Sequence, residues 1–164
     1  MKKILILPLF ISCFISCKKK FEMAPNNNVV KATVVVSPTS TININATGAK
    51  ALMGCSFWAG GTYIDGTNEA NAAVYITVYG ANFSCVSSPG TYGFNCEYRK
   101  NVVDPATPIY SNNGINRGSI TFTAINDQYM EGSFTAICCC NSPGCVPGVD
   151  SVIVSGTFKG DRLN

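Results

Sequence analysis

The chain predicts an all-β fold: a single antiparallel β-sandwich or small barrel-like domain of about eight strands, set behind a signal peptide and a tether. Three observations carry that expectation. Beyond residue 28, apolar and polar residues alternate with period two, and the three-and-four spacing of an amphipathic helix is scarce. Clusters of Gly, Pro and Asn break the alternation at short intervals. Ahead of it, a short apolar run stands between Lys2 and Lys3 on one side and Lys18 to Lys20 on the other, the charge layout of an export signal.

Taken in order, Met1 to Lys3 form a basic n-region, Ile4 to Ile15 an apolar h-region, and Ser16 a small residue ahead of Cys17. Spanning a bilayer takes about 20 apolar residues, so this run is too short to be a transmembrane helix. Phe14, Ile15, Ser16 and Cys17 resemble the lipobox of bacterial lipoproteins, in which the last cysteine takes a diacylglycerol and becomes the first mature residue. Phe10, Ile11, Ser12 and Cys13 spell the same quartet. Cleavage there would shorten the h-region to Ile4–Phe10 and leave Phe14 and Ile15 on the mature side, so Cys17 is the expected lipidation site. Residues 1–16 are then a lipoprotein signal peptide, 17–28 a lipidated tether ending in Pro25 and three asparagines, and 29–164 the all-β domain. The partner of that anchor is a membrane, since several acyl chains on one cysteine hold where a single chain binds only marginally.

The expected strands run Thr33–Ser37, Thr41–Ala46, Leu52–Trp58, Val74–Tyr79, Tyr92–Tyr98, Ser119–Ala124, Ser133–Cys138 and Val152–Phe158. In Val74–Tyr79, for example, Val74, Ile76 and Val78 face one side and Tyr75, Thr77 and Tyr79 the other. Turns are expected at Gly60 and Gly61, Asp65 to Asn68, Ser88 to Gly90, Asp104 to Gly114, Asn126 to Gln128 and Asn141 to Gly148. Short turns pair consecutive strands antiparallel. The faces turned away from the core carry Thr, Ser, Asn and Glu, which argues against a membrane-spanning barrel with its apolar outer band.

The lipobox with its lysine tail resembles that of the small uncharacterised lipoproteins common in Bacteroidetes. So do Val74 to Tyr79 followed by Pro89 to Tyr92, Gly118 to Phe122, Gly132 to Phe134, and Asp150 to Phe158. The resemblance implies an envelope address and an all-β fold, and transfers no site and no activity. In that group, surface-exported members carry acidic residues just after the anchor cysteine. Lysines stand there in this chain, which implies an outer-membrane lipid anchor facing the periplasm. Asp150, Ser151 and Val152 match the three-residue O-glycosylation pattern of similar bacteria.

The net charge of +3 belongs to the targeting segment: from Val29 onward seven basic residues face eight acidic ones. Nucleic-acid binding needs a clustered basic face, and none is visible. Histidine is absent, which removes Ser/His/Asp and Cys/His nucleophilic arrangements and imidazole ligation of metal. No catalytic residue set and no cofactor is indicated. The expectation is therefore a non-enzymatic binding or structural module of the envelope, its ligand a glycan or an envelope protein. The alternatives are a carboxylate-dependent glycan hydrolase and a thiol-based metal carrier.

Seven cysteines follow the tether, and in an exported protein disulfides are the default reading. Cys140 and Cys145 bracket a short turn, and Cys85 and Cys96 flank the turn at Pro89 and Gly90, so these are the expected pairs. Cys55 is then left to reach Cys138 or Cys139. A metal cage at Cys138, Cys139, Cys140 and Cys145 is disfavoured because Cys139 on a strand points away from its neighbours, and no metal site is expected. Asp65, Asn68 and Glu69 are expected to share a solvated loop without the alternating spacing of a calcium site. Tyr63, Tyr75, Tyr79, Tyr92, Tyr98 and Tyr110, with Trp58, are candidates for a carbohydrate-stacking face or for core packing.

Overall fold

Burial alternates residue by residue along the long strands, as a sheet with one face on a core requires. The computed structural model describes residues 27–56, 61–80, 84–112, 117–141 and 150–163. Its strands are β1 (Val29–Ser37), β2 (Ser40–Thr47), β3 (Ala51–Ser56), β4 (Gly61–Thr67), β5 (Ala73–Val78), β6 (Gly90–Tyr92), β7 (Asn95–Arg99), β8 (Ile109–Ser111), β9 (Gly118–Ile125), β10 (Tyr129–Cys140) and β11 (Ser151–Asp161). Among the described residues the only helical element is a 3-10 turn, Gly48–Lys50.

The strands form one sheet in the order β2-β1-β11-β10-β8-β7-β5-β4-β3, all neighbours antiparallel. β10 is where it forks. Met130 to Ala136 pair with β9, which carries β6 on its far side, while Cys139 and Cys140 pair with β8 and so lead into the other half. The two halves fold over a common core and nearly close: the Cys55 N–H donates to the Leu163 carbonyl at 2.9 Å and the Leu163 N–H to the Met53 carbonyl at 3.0 Å. That parallel bridge ties β3 to the chain just past β11. The expected sandwich or small barrel is thus the observed architecture, nearly closed.

Among the described residues there are eleven strands, against the expected eight or so. The extra ones have identifiable causes. Gly61 begins β4 instead of making a turn: a Cβ there would lie 2.4 Å from the Val78 carbonyl oxygen, so the glycine marks close strand approach. Gly66 plays the same part between layers, since a Cβ would stand 2.8 Å from Val30 Cγ1. The single strand expected over Tyr92–Tyr98 is two, because β6 pairs with β9 and β7 with β5 and β8, and the chain changes layers at Gly93 and Phe94. β8 lies within the stretch read as a loop from Asp104 to Gly114. The Asn126 to Gln128 turn is as expected, closed by Asn126 N–H to the Tyr129 carbonyl at 2.9 Å, with the Asn126 side chain accepting the Gln128 N–H at 2.8 Å.

The core gathers Val30, Val34, Ile44, Met53, Ile64, Ile76, Ile120 and Met130, all fully buried. Its centre is a reciprocal aromatic–glycine arrangement across β10 and β11. Phe158 is paired with Gly132, and Phe134 with Gly156. Each ring occupies the space its partner glycine leaves empty, a known way of shielding a glycine in a sheet. Phe122 meets Phe158 edge to face at 5.2 Å, and Phe94 meets Phe134 at 6.5 Å, geometries that suit the ring quadrupoles. Asn112, buried just past β8, prolongs the ladder with its side chain: it accepts the Cys96 N–H at 2.9 Å and donates to the Phe94 carbonyl at 2.8 Å.

Candidate functional site

β4 places Tyr63, Asp65 and Thr67 on the outward face because Thr62, Ile64 and Gly66 are buried. The same alternation sends Tyr75 and Thr77 of β5, and Asn95, Glu97 and Arg99 of β7, to that face. Strand register then sets them in rows. Leu52, Asp65, Tyr75, Glu97 and Ser111 lie side by side, and Gly54, Tyr63, Thr77 and Asn95 form the next row. Adjacent strands stand about 4.8 Å apart, so the face from β3 to β7 is roughly 14 Å wide.

Tyr63 lies across Gly54: a Cβ on that glycine would stand 2.5 Å from the phenolic oxygen and 2.7 Å from Cζ. The missing side chain lets the ring lie along the sheet. Arg99 organises the other side. Its Nε donates to Glu97 Oε1 at 2.5 Å, and its Cζ sits 5.8 Å from the centroid of the Tyr75 ring, within cation–π range. Tyr79, just past β5, is 40% exposed, and its hydroxyl accepts from Asn95 Nδ2 at 3.5 Å.

The electrostatics centre on Asp65. Burial beside the tyrosines raises its carboxyl from 3.8 to about 6, a shift the Ile76 backbone opposes by hydrogen bonding the charged form. Tyr63 is raised by burial and then by the Asp65 charge. Tyr75 is raised by burial first; Arg99 pulls it down, and Asp65 and Glu97 push it up.

The folded state holds a proton on Asp65 up to about pH 6, so the folded chain binds more protons than the unfolded one between roughly pH 4 and 6. Stability therefore falls as pH rises through that window and stays lower above it. Asp65→Asn removes the penalty and is expected to stabilise by about 1–2 kcal/mol at pH 7, discounted for the carboxyl's partial solvation. The gain should vanish near pH 4. Urea unfolding at both pH values checks this, and an equal gain at both would refute the assignment.

The structure brings together only some of the residues singled out from sequence. Tyr63, Tyr75 and Tyr79 share the outward face of this half. Tyr98 points inward, fully buried against Tyr110 with ring centroids 5.8 Å apart, and burial raises its hydroxyl to about 12. Tyr92 belongs to the other half, where it packs on Phe122 and donates to the Ser88 carbonyl at 2.8 Å. Trp58 and Cys17 lie outside the described residues. Asp65, Asn68 and Glu69 do not share a loop: Asp65 is in β4, Asn68 is engaged with the Ala72 N–H and the Asn43 carbonyl, and Glu69 pairs with Lys50 at 2.5 Å. Ser151 is exposed at the start of β11.

The cysteine pairing also differs. Cys85 is bonded to Cys55, with Cα atoms 5.7 Å apart, and Cys96 is a free buried thiol. The expected Cys85–Cys96 pair presumed a hairpin across Pro89 and Gly90, which does not form because β6 and β7 belong to different halves. Instead the buried Thr62 hydroxyl accepts the Val86 N–H at 2.9 Å, and Thr62 is the register partner of Cys55. That contact draws Cys85 to β3. Cys138 and Cys139 are free thiols, so the expected link from Cys55 to one of them is not made. Cys140 is disulfide-bonded, and Cys145 lies outside the described residues. Cys138 and Cys140 are buried and Cys139 only partly so, and no cluster of three or more Cys, Asp or Glu able to hold a metal is found among the described residues.

The Asp65, Glu97 and Arg99 constellation is hidden in the sequence because the residue types at 65–68 predict a turn. Its signal was present: Tyr63, Asp65 and Thr67 alternate with Ile64 and Gly66.

The opposite half presents a different surface. Across β2, β1, β11, β10 and β9 the outward rows read Asn45, Lys31, Thr157, Ser133, Thr121 and Asn43, Thr33, Ser155, Thr135, Ser119. Two open grooves of about 550 and 490 Å3 run along it, sharing Lys31 and Thr157.

Comparison with protein-family models, with curated proteins and with solved structures finds no match.

Proposed function

We propose that the domain is a non-enzymatic glycan-binding module, anchored by a lipid on Cys17 to the periplasmic face of a bacterial outer membrane. The observation that carries the reading is the outward face of β4, β5 and β7. Tyr63 is laid along the sheet by Gly54, and Tyr75 is held by Arg99. Asp65, Glu97, Thr77 and Asn95 stand in the same rows. Flat rings offer apolar surface to the C–H faces of sugar rings, and carboxylates and amides accept and donate to hydroxyls around them.

One observation favours a second reading, the hydrolase. Asp65, raised to about 6, sits in one row with Glu97, which pairs with Arg99. They are two strands, roughly 10 Å, apart, near the upper spacing of an inverting carboxylate pair.

A glycan array probed with the detergent-solubilised full chain separates the two. Binding without turnover is expected, with Tyr63→Ala and Tyr75→Ala each weakening it about 10-fold, the loss of one good ring contact. Retention of no glycan, or unchanged binding by both variants, would reject the module. Release of reducing ends that Asp65→Asn abolishes would establish the hydrolase instead. Mass spectrometry of the mature N-terminus tests the anchor, and an unmodified terminus rejects it.

A further inference from the structure

Two thiols remain in the core that none of the preceding roles uses. Cys96 of β7 is 1% exposed and Cys138 of β10 is fully buried. They come from strands that are not neighbours. β8 separates β7 from β10 only as far as Ser111, which pairs with Glu97 on one side and Cys139 on the other. Immediately beyond that row the Cys138 side chain reaches Cys96 inside the sheet. The Cys138 thiol donates to the Cys96 carbonyl at 3.7 Å, and both side chains stand on the buried face of their strands.

We infer that Cys96 and Cys138 are the site of a further cystine, one that staples β7 to β10 across the core where β8 ends. The cysteine inventory agrees. Among the described residues Cys55, Cys85 and Cys140 are disulfide-bonded, and of the three free thiols there only Cys139 is not fully buried, so pairing the other two leaves, among the described residues, one odd thiol at the partly exposed position. The alternation of β10 turns Cys138 toward Cys96 and Cys139 away from it.

The chemistry is thiol–disulfide exchange with an oxidised dithiol or glutathione-type donor. The Cys96 thiolate attacks a donor sulfur, forming a mixed disulfide and expelling the donor's second sulfur as a thiolate. The Cys138 thiolate then attacks Cys96 Sγ, closing the cystine and releasing the remaining donor thiolate. Two electrons pass to the donor disulfide, and the two protons lost by the cysteines end on its thiols. In the closed fold, the neighbouring Cys138 thiol and then burial hold Cys96 well above the usual thiol range, so little thiolate is available there. The exchange accordingly belongs to folding, before the core shuts. The inference stands apart from the glycan reading and does not depend on it.

Trypsin provides a direct test, because Cys55 and Cys85 share the peptide 51–99 with Cys96, while Cys138 and Cys139 fall in the peptide 118–159. The full chain, reduced, denatured and refolded in a glutathione redox pair, is quenched with iodoacetamide and digested without reduction. The two peptides are expected to run as one species that reduction separates. The join should persist in Cys139→Ser and disappear in Cys138→Ala. Recovery of separate peptides with Cys96 alkylated would overturn the inference, and that measurement needs only the unsubstituted chain. A join lost in Cys139→Ser and kept in Cys138→Ala would overturn it equally.

Discussion

Gly132→Ala is expected to destabilise the domain by about 3–5 kcal/mol, a large part of the roughly 5–15 kcal/mol that holds a domain together. The added Cβ would stand 2.1 Å from the Thr121 carbonyl oxygen and 2.6 Å from Phe158 Cζ. Phe158 can turn only by giving up its edge-to-face contact with Phe122 at 5.2 Å. The Thr121 oxygen is backbone of β9, and moving it disturbs the register on either side of the shift at Glu131 and Gly132. Gly156→Ala should behave alike, with the Lys31 carbonyl oxygen at 2.1 Å and Phe134 Cζ at 2.8 Å.

A double-mutant cycle identifies the cause. Phe158→Ala alone costs about 3–5 kcal/mol through the cavity it leaves. Combined with Gly132→Ala, the losses should sum to less than their total, because truncating the ring relieves one of the two clashes. Strict additivity in urea unfolding would show that the ring and the glycine are not coupled. A cost below about 1 kcal/mol for Gly132→Ala would show that the strands part easily.

Replacing Cys55 and Cys85 together by Ala is the second large effect, expected at about 3–4 kcal/mol and a fall of roughly 10 °C in Tm. The bond closes a sequence separation of 30 residues, enough for its removal to free considerable unfolded-state entropy. It also fixes the segment before β6 against β3, next to β4, where the Val86 N–H depends on the Thr62 hydroxyl. The double substitution avoids leaving one free thiol to exchange with Cys96 or Cys138. Thermal unfolding of parent and variant under non-reducing conditions measures the effect. A Tm within about 2 °C of the parent would mean that the unfolded chain gains little freedom when the link is lost.

How far the fold could be read in advance depended on whether a residue's role was local. Val74 to Val78 alternate cleanly, and β5 is Ala73–Val78. Val152, Val154 and Phe158 face inward together in β11 as the pattern requires. Glycine misled the reading because its meaning is not local. Gly61 and Gly66 look like turn residues, yet they are strand positions where Val78 and Val30 leave no room for a side chain. A turn at residues 65–68 would keep Asp65 from standing beside Tyr75, and the candidate face is hidden with it. The Cys55–Cys85 bond has the same origin: it follows from a hydrogen bond between Val86 and Thr62, 24 residues apart, that no spacing rule contains. The tyrosines divide inward or outward by one-residue parity, so Tyr98 enters the core while Tyr75 faces solvent.

The position of the first and last strands bears on how the chain can acquire its structure at all. β1 lies between β2 and β11, with Val30 opposite Phe158, and Leu163 bridges to Gly54. The centre of this half is therefore a partnership between the two ends of the domain in sequence. A nascent chain can zip β3, β4 and β5 as local hairpins, yet β1 and β2 have only each other as ladder partners until β11 emerges. Loop closure over that length makes such topologies slow to form. Assembly of this half waits on β11, so a chain on which β11 has yet to be made presents unpaired strands, a state open to association and costly to prolong.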